Sequence, residues 1–140
     1  MKKSILKNII DQCKKELHKH PEKNHFAHWT FIYQYDRLIS KGMNRSYEPP
    51  KSFGYHGKEP SYKPKWHSEA DAVKRARYNL VNCVAVNVRL NKSGQIRFSA
   101  PCQTCRNILY VINCRKVYFT TEYGWGVIRL SKTPRIKYKF

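Results

Sequence analysis

The sequence predicts a three-layer α/β domain, with helices packed on both faces of a five-stranded mixed sheet whose last strand is antiparallel. Three patterns support this prediction: an amphipathic helical segment comes first, aromatic and β-branched segments follow it, and further helical segments then alternate with strands. At 140 residues the chain is long enough for one core and too short for two, so we expect one domain over residues 1–140.

The helices are predicted from apolar spacing and from helix-forming residues. Apolar side chains recur three and four positions apart in residues 1–20, and strong helix formers fill residues 67–79. A third helix is expected to begin at Pro101 and to end near Asn113, with Cys105, Ile108 and Leu109 along it.

The strands are predicted from dense aromatic and β-branched residues and from alternating apolar positions. They cover residues 26–35, 37–41, 82–90, 116–121 and 127–130, and residues 95–99 are an extended return after a turn. The strand over residues 116–121 follows a helix and should pair in parallel. Only Glu122 to Gly126 separate it from the last strand, which is too short for a parallel crossover, so these two strands should be antiparallel.

The two segments that carry chemistry read H-x-E and P-C-x-x-C. They supply His67, Cys102 and Cys105, an imidazole and two thiols, which is the ligand set of a zinc site that keeps its fourth position for water. Cys102 and Cys105 are three residues apart and share one face if they open a helix, where the helix dipole favours thiolate. Arg106 follows directly and is predicted to donate to a thiolate, which would keep the metal electron-poor.

Glu69 lies two residues after the histidine, in the first turn of the predicted helix. From there its carboxylate reaches metal-bound water more readily than the metal, so we predict a proton shuttle and not a ligand. Asp71 is interpreted as electrostatic support of the same helix. Cys13 and Cys83 are predicted core residues. His18, His20, His25 and His28 are interpreted as surface or strand-edge residues.

With these residues in this order, the chain resembles the cytidine and deoxycytidylate deaminase superfamily over most of residues 26–130. The resemblance implies bound Zn²⁺ and hydrolytic removal of an exocyclic amine from a nucleobase, with Glu69 moving the protons. It also implies that Asn44 contacts the sugar of the substrate, although a turn role explains an asparagine there equally well. Further substrate contacts are predicted at Trp66, Ser68, Ala100 and Pro101.

The chain departs from the free-nucleoside branch of that superfamily in part. The tight last connection and the P-C-x-x-C-R run resemble this branch, but His67 stands where those enzymes usually carry Cys, and Ser68 where Ala is common. The substrate class therefore stays open.

The charge is the second functional signal, because 28 Lys and Arg against 9 Asp and Glu give a formal net charge of +19. Such charge attracts phosphate, although a surface biased for solubility is the alternative. Basic and aromatic residues interleave in a loop over residues 45–66 and in a tail over residues 129–140. Nucleic-acid contacts are predicted at Arg45, Lys51, Tyr55, Lys58, Tyr62, Lys63, Lys65, Arg135 and Lys137. Rings packed back on the sheet and a solvated terminus are the alternatives.

The compartment is predicted from the cysteines and from the lack of long apolar runs. Five cysteines argue against a disulfide framework, and no run approaches a membrane span or a signal-peptide core, so we expect an intracellular, cytoplasmic protein.

The expected partners are single-stranded DNA or RNA, or a free nucleotide, without a membrane; a homo-oligomer stays open. The preferred function is a hydrolytic deaminase of cytosine in a single strand. A free cytidine or deoxycytidylate deaminase is the alternative, followed by adenosine in RNA and by a non-enzymatic, zinc-stabilised nucleic-acid-binding module.

Overall fold

The structure is a computed structural model that describes residues 1–19, 26–44, 67–76 and 79–131. Its helices are α1 (Lys3–Leu17), α2 (Ser68–Arg75) and α3 (Gln103–Val111). Its strands are β1 (Phe26–Gln34), β2 (Arg37–Met43), β3 (Cys83–Asn91), β4 (Ile96–Arg97), β5 (Cys114–Thr121) and β6 (Gly124–Arg129). Among the described residues, no helix has the length and apolar character that crossing a membrane requires.

The strands form one mixed sheet in the order β2-β1-β3-β5-β6. β1 is antiparallel to both β2 and β3, β5 is parallel to β3, and β6 is antiparallel to β5. The predicted α/β class and the antiparallel last strand are therefore confirmed. The predicted strand count is short by one, because the extended return contributes the two-residue strand β4, which pairs with β3 beside the end of β5.

The sheet has a helix layer on each face because its strands alternate apolar side chains between two cores. On one face, Leu6, Ile9 and Cys13 of α1 pack with Trp29 and Val88 and their neighbours. On the other, α2 and α3 pack through Ala72 and Leu109 against a second cluster; its remaining buried members are Ile32, Leu80, Cys83, Ala85, Cys114, Val117 and Leu130. The predicted core positions of Cys13 and Cys83 are confirmed, since both side chains are fully buried.

α2 is shorter than the sequence predicts. The prediction covered residues 67–79, but the helix ends at Arg75 because Ala76 is extended, with φ −74° and ψ 123°. The helix formers near its end do not outweigh the tertiary context, which weighs more than propensity in a helix of two turns. His67 and Cys102 are the N-cap residues of α2 and α3, so the candidate ligands lie where each helix begins.

Candidate metal centre and active site

The beginnings of α2 and α3 bring the three predicted ligands together. His67 Nδ1 lies 3.4 Å from Cys105 Sγ and 3.8 Å from Cys102 Sγ, and all three donor atoms lie within 4.8 Å of one another. Cys105 is buried, His67 is half-buried and Cys102 is exposed. Within the described residues, the group of candidate ligands consists of these three.

The donor set and its spacing fit a zinc ion. With Zn–S bonds of about 2.3 Å and Zn–N bonds of about 2.0 Å, tetrahedral geometry places neighbouring donor atoms roughly 3.5–3.8 Å apart. The distances from His67 Nδ1 are close to this spacing, at 3.4 Å to Cys105 Sγ and 3.8 Å to Cys102 Sγ. Three protein donors leave the fourth tetrahedral position for a further ligand, which is the arrangement of catalytic zinc sites.

The electrostatics of the group favour the ionised ligands that a metal needs. A hydrogen bond from Cys105 lowers the pKa of Cys102 to about 4, with burial opposing this shift and the His67 ring adding to it. The hydrogen bond to Cys102 raises the pKa of His67, while burial of the ring lowers it. Cys102 is therefore a thiolate at neutral pH, the form in which a cysteine binds metal.

Glu69 is a buried carboxylate in the first turn of α2, only 2% exposed. Its Oε2 accepts a hydrogen bond from Asn87 Nδ2 at 2.9 Å, and its Oε1 accepts one from Ser68 Oγ at 3.2 Å. The chain therefore orients the carboxylate with two neutral donors and no ion pair among its described contacts.

Asn87, on β3, connects Glu69 to β1 and to the segment that precedes α3. Its amide nitrogen also donates to the Ser99 carbonyl oxygen at 3.0 Å, and its Oδ1 accepts from Thr30 Oγ1 at 2.7 Å. Thr30 Oγ1 lies 2.8 Å from Ser68 Oγ, which closes the network back to α2. All of these side chains are buried. Neither Asn87 nor Thr30 belongs to a recognisable motif in the sequence. The signal for Asn87 is a polar residue inside an otherwise apolar strand.

The other predicted substrate contacts and Arg106 lie at the ends of β2, α2 and α3. Asn44 follows β2, and its Oδ1 accepts from the His28 backbone N–H at 3.0 Å. Ser68 is buried, with its hydroxyl in the network above. Ala100 is half-buried and Pro101 is buried, directly before Cys102. Arg106 Nε donates to the Pro101 carbonyl oxygen at 3.1 Å, so its predicted bond to a thiolate stays a prediction.

The interpretation of His28 as a surface or strand-edge residue is wrong. β1 lies between β2 and β3, so His28 is in an interior strand, and the whole residue is half-buried. His18 is exposed, as predicted.

Other predicted residues lie outside the described residues. These are Trp66, His20, His25 and all nine predicted nucleic-acid contacts: Arg45, Lys51, Tyr55, Lys58, Tyr62, Lys63, Lys65, Arg135 and Lys137. The loop over residues 45–66 lies there entirely, as does the tail beyond residue 131.

The fold and this site define a class of protein: an α/β domain with an imidazole and two sulfurs at two helix starts and a buried glutamate beside them. The fold is that of the nucleotide deaminases. The chain is similar to the dCMP deaminase of the cyanophage S-TIM5, with a TM-score of 0.55 and 15% identity over 85% of this chain and 82% of that one. The resemblance seen in the sequence is confirmed for the fold and is consistent with the His/Cys/Cys group.

Two mycobacterial structures are also similar. The cytidine deaminase of Mycobacterium leprae has a TM-score of 0.49 at 18% identity, over 84% of this chain and 88% of that one. The cytidine deaminase of Mycobacterium tuberculosis has a TM-score of 0.44 at 14% identity, over 84% and 86%. No protein-family model and no curated protein match the sequence.

Proposed function

We propose that this chain is a zinc-dependent hydrolytic deaminase of a nucleobase, and that it converts cytosine to uracil in single-stranded DNA or RNA. The observation that carries the proposal is the buried Glu69, held by Asn87 and Ser68 at the start of the same helix that His67 caps. A site for structural zinc alone has no need of a buried, oriented carboxylate beside its ligands.

Zinc held by His67, Cys102 and Cys105 would supply a Lewis acid that makes water reactive at neutral pH. The chain's own residues then handle the protons. Glu69 accepts one proton from the water and delivers it to the ring nitrogen of the base. It then takes the remaining proton of the added hydroxyl group and donates it to the departing amine. Water adds at the carbon that bears the amine and ammonia leaves, so cytosine and water give uracil and ammonia.

Charge and one exposed aromatic side chain support a polynucleotide substrate. Phe98 is 57% exposed, and its ring stands edge-on to Phe119 with the centroids 5.5 Å apart. Arg97 directly precedes Phe98 and forms an exposed ion pair with Glu122 at 3.2 Å. Arg89 Nη1 donates to the Phe98 carbonyl oxygen at 3.5 Å. Because Ser99, the next residue, contacts Asn87, this ring lies on the segment that leads into the site. An exposed ring among cations is suited to stack a base flanking the target.

A free nucleotide such as dCMP is the second candidate. It is favoured by the fold similarity to the phage dCMP deaminase, whose structure holds dCMP and dUMP. A single phosphate is also attracted by the formal net charge of +19.

The test is to incubate the zinc-loaded protein with dCMP, cytidine and single-stranded DNA and RNA oligonucleotides that contain one cytosine, and to measure uracil by mass spectrometry. We expect uracil in an oligonucleotide. Glu69→Gln should keep its zinc and fold and lose turnover, whereas Glu16→Gln, the same change on α1, should behave as wild type. If wild-type protein with full zinc converts none of these substrates, the deaminase hypothesis is wrong and a non-enzymatic, zinc-stabilised nucleic-acid-binding module is favoured.

A further inference from the structure

Three polar residues form a row that crosses the sheet: Asn44 after β2, His28 on β1 and Arg89 on β3. In the antiparallel pairing of β1 with β3, His28 is opposite Arg89, and on the other side its carbonyl and N–H both bond to Asn44. Residues opposite each other in antiparallel strands project to the same face. Thr30, two residues along β1, contacts Ser68 of α2, so the row is on the face that carries α2 and α3.

The row is one step further along the strands than the residues that hold Glu69. Thr30 and Asn87 are the next opposite pair on this face, and both belong to the Glu69 network. The row therefore lies toward the carboxyl end of β3, the side on which ligands bind in open α/β sheets. His28 is also close enough for the charges of Glu69, His67 and Cys102 to act on its ring.

His28 Nε2 is buried and has no hydrogen-bond partner. Within the described residues, only one other buried side-chain nitrogen or oxygen shares this state, Trp29 Nε1, which belongs to the core on the opposite, α1 face. Leaving such an atom unpaired costs stability, so an orphaned group beside a reaction site indicates a ligand that completes it. Burial lowers the pKa of His28 and so favours the neutral ring.

We propose that His28 is a substrate-binding residue, and that its Nε2 forms a hydrogen bond with the cytosine nucleoside that occupies the site. This inference rests on the proposed function and adds a residue to it. Asn44 would then contact the substrate from the neighbouring position of the same row, as the superfamily resemblance implies for an asparagine there. His28 orients the base relative to Glu69 and takes no part in proton transfer.

The first test measures affinity without turnover. In the zinc-loaded Glu69→Gln protein, the dissociation constants of dCMP and of an oligonucleotide with one cytosine are compared with and without His28→Phe, which keeps a ring and removes Nε2. We expect about 10- to 100-fold weaker binding, together with a higher melting temperature of the ligand-free protein, because the unpaired nitrogen is gone. Trp29→Phe removes the other orphaned nitrogen, on the far face, and should leave affinity unchanged. His28→Gln, which retains a polar end, should recover part of the affinity.

The second test requires no substitution at His28. The ¹⁵N resonance of its Nε2 is followed by NMR in the Glu69→Gln protein while dCMP or the oligonucleotide is added, and it should shift with the same dissociation constant. If the wild type deaminates cytosine but His28→Phe binds as tightly and the resonance does not move, the inference is overturned and the proposed function stands. If no cytosine-containing molecule is bound or converted, both are overturned.

Discussion

Asn87 is the residue on which the geometry of the proposed reaction depends most, after Glu69 itself. Its amide makes both of its N–H donations, one to Glu69 Oε2 and one to the Ser99 carbonyl, and accepts from Thr30. It thereby fixes the carboxylate relative to the segment that leads to Cys102. An alanine there leaves the buried carboxylate with one donor fewer and frees its rotamers.

We expect Asn87→Ala to lower kcat about 10- to 100-fold, the usual cost of losing a group that orients a site residue. Zinc content should stay at the wild-type level because none of the three ligands is touched. Steady-state kinetics and metal analysis measure this directly. Asn91→Ala is the matched control, since Asn91 ends the same strand and the described hydrogen bonds of its side chain stay within the turn, to Ser93 and Gln95. Full activity in Asn87→Ala would contradict the network's role.

The sequence predicts some of these residues and not others for a physical reason. His67, Glu69, Cys102 and Cys105 are separated by short, fixed steps within local helix starts, so their spacing alone indicates a shared site. Asn87, Thr30 and His28 depend on which strand neighbours which and in what register. A shift of one residue would turn Asn87 to the opposite face, and the sequence does not fix that register by itself.

At the scale of elements, hydrogen bonds between β2 and α2 fix the position of the helix that begins after His67 and carries Glu69. Ser40 Oγ donates to the Ala72 carbonyl at 2.6 Å, and the Met43 N–H donates to Asp71 Oδ2 at 2.9 Å. Asp71 also accepts from Arg75 Nε at 3.1 Å. The buried Asp71 carboxylate thus connects β2 to α2 by hydrogen bonds, in addition to the helix-support role predicted for it.

Gly42 lies between these two hydrogen bonds, where the strand is close to the helix backbone. A Cβ there would overlap the Ser68 carbonyl oxygen and the Ala72 amide nitrogen, with Ala72 Cα 2.8 Å away. We expect Gly42→Ala to lower the free energy of unfolding by about 1–3 kcal/mol, the range for overpacking, as measured by urea denaturation. Backbone atoms cannot rotate away, so the strand and α2 must separate.

Lys41→Ala is the control for Gly42→Ala. Lys41 is the adjacent residue, its side chain is 43% exposed, and its described ion pair is with Glu16 on α1. A pair this exposed contributes about 0–1 kcal/mol. Equal losses of stability in the two variants would show that β2 tolerates a side chain at Gly42 and that the contact with α2 is looser than described.

The elements themselves were largely predictable. The alternating apolar residues of β3 and the spacing of α1 follow from periods of two and 3.6, and the short β5–β6 connection fixes their antiparallel pairing. The end of α2 was not predictable, because tertiary context ends the helix among strong helix formers. Residues 95–99 are predicted as extended, but the pairing of β4 with β3 is not, because a strand of two residues has no periodicity of its own. β4 exists where Arg97 and Ile96 meet Arg89 and Leu90 across the sheet.

For the whole molecule, the net charge of +19 gives a way to separate the two candidate substrates, because the two ligands carry different numbers of phosphates. A polynucleotide bound through several phosphates releases counterions, so the logarithm of its affinity falls steeply with the logarithm of salt concentration. A mononucleotide brings one phosphate, and its affinity falls far less. Salt dependence therefore separates the two candidate substrates even though both present the same cytosine to Glu69.

We expect the affinity of the zinc-loaded Glu69→Gln protein for a single-stranded oligonucleotide to fall about 300-fold between 50 and 200 mM salt if roughly six phosphates are contacted. The affinity for dCMP should change by much less.

Phe98→Ala should weaken oligonucleotide binding about 5- to 150-fold, the value of one stacked base, and leave the salt slope unchanged because no charge is removed. Tyr123→Ala removes another exposed ring, in the β5–β6 turn, and serves as the control. A shallow slope common to both ligands, with no effect of Phe98→Ala, would assign the charge to a single phosphate and the enzyme to free nucleotides.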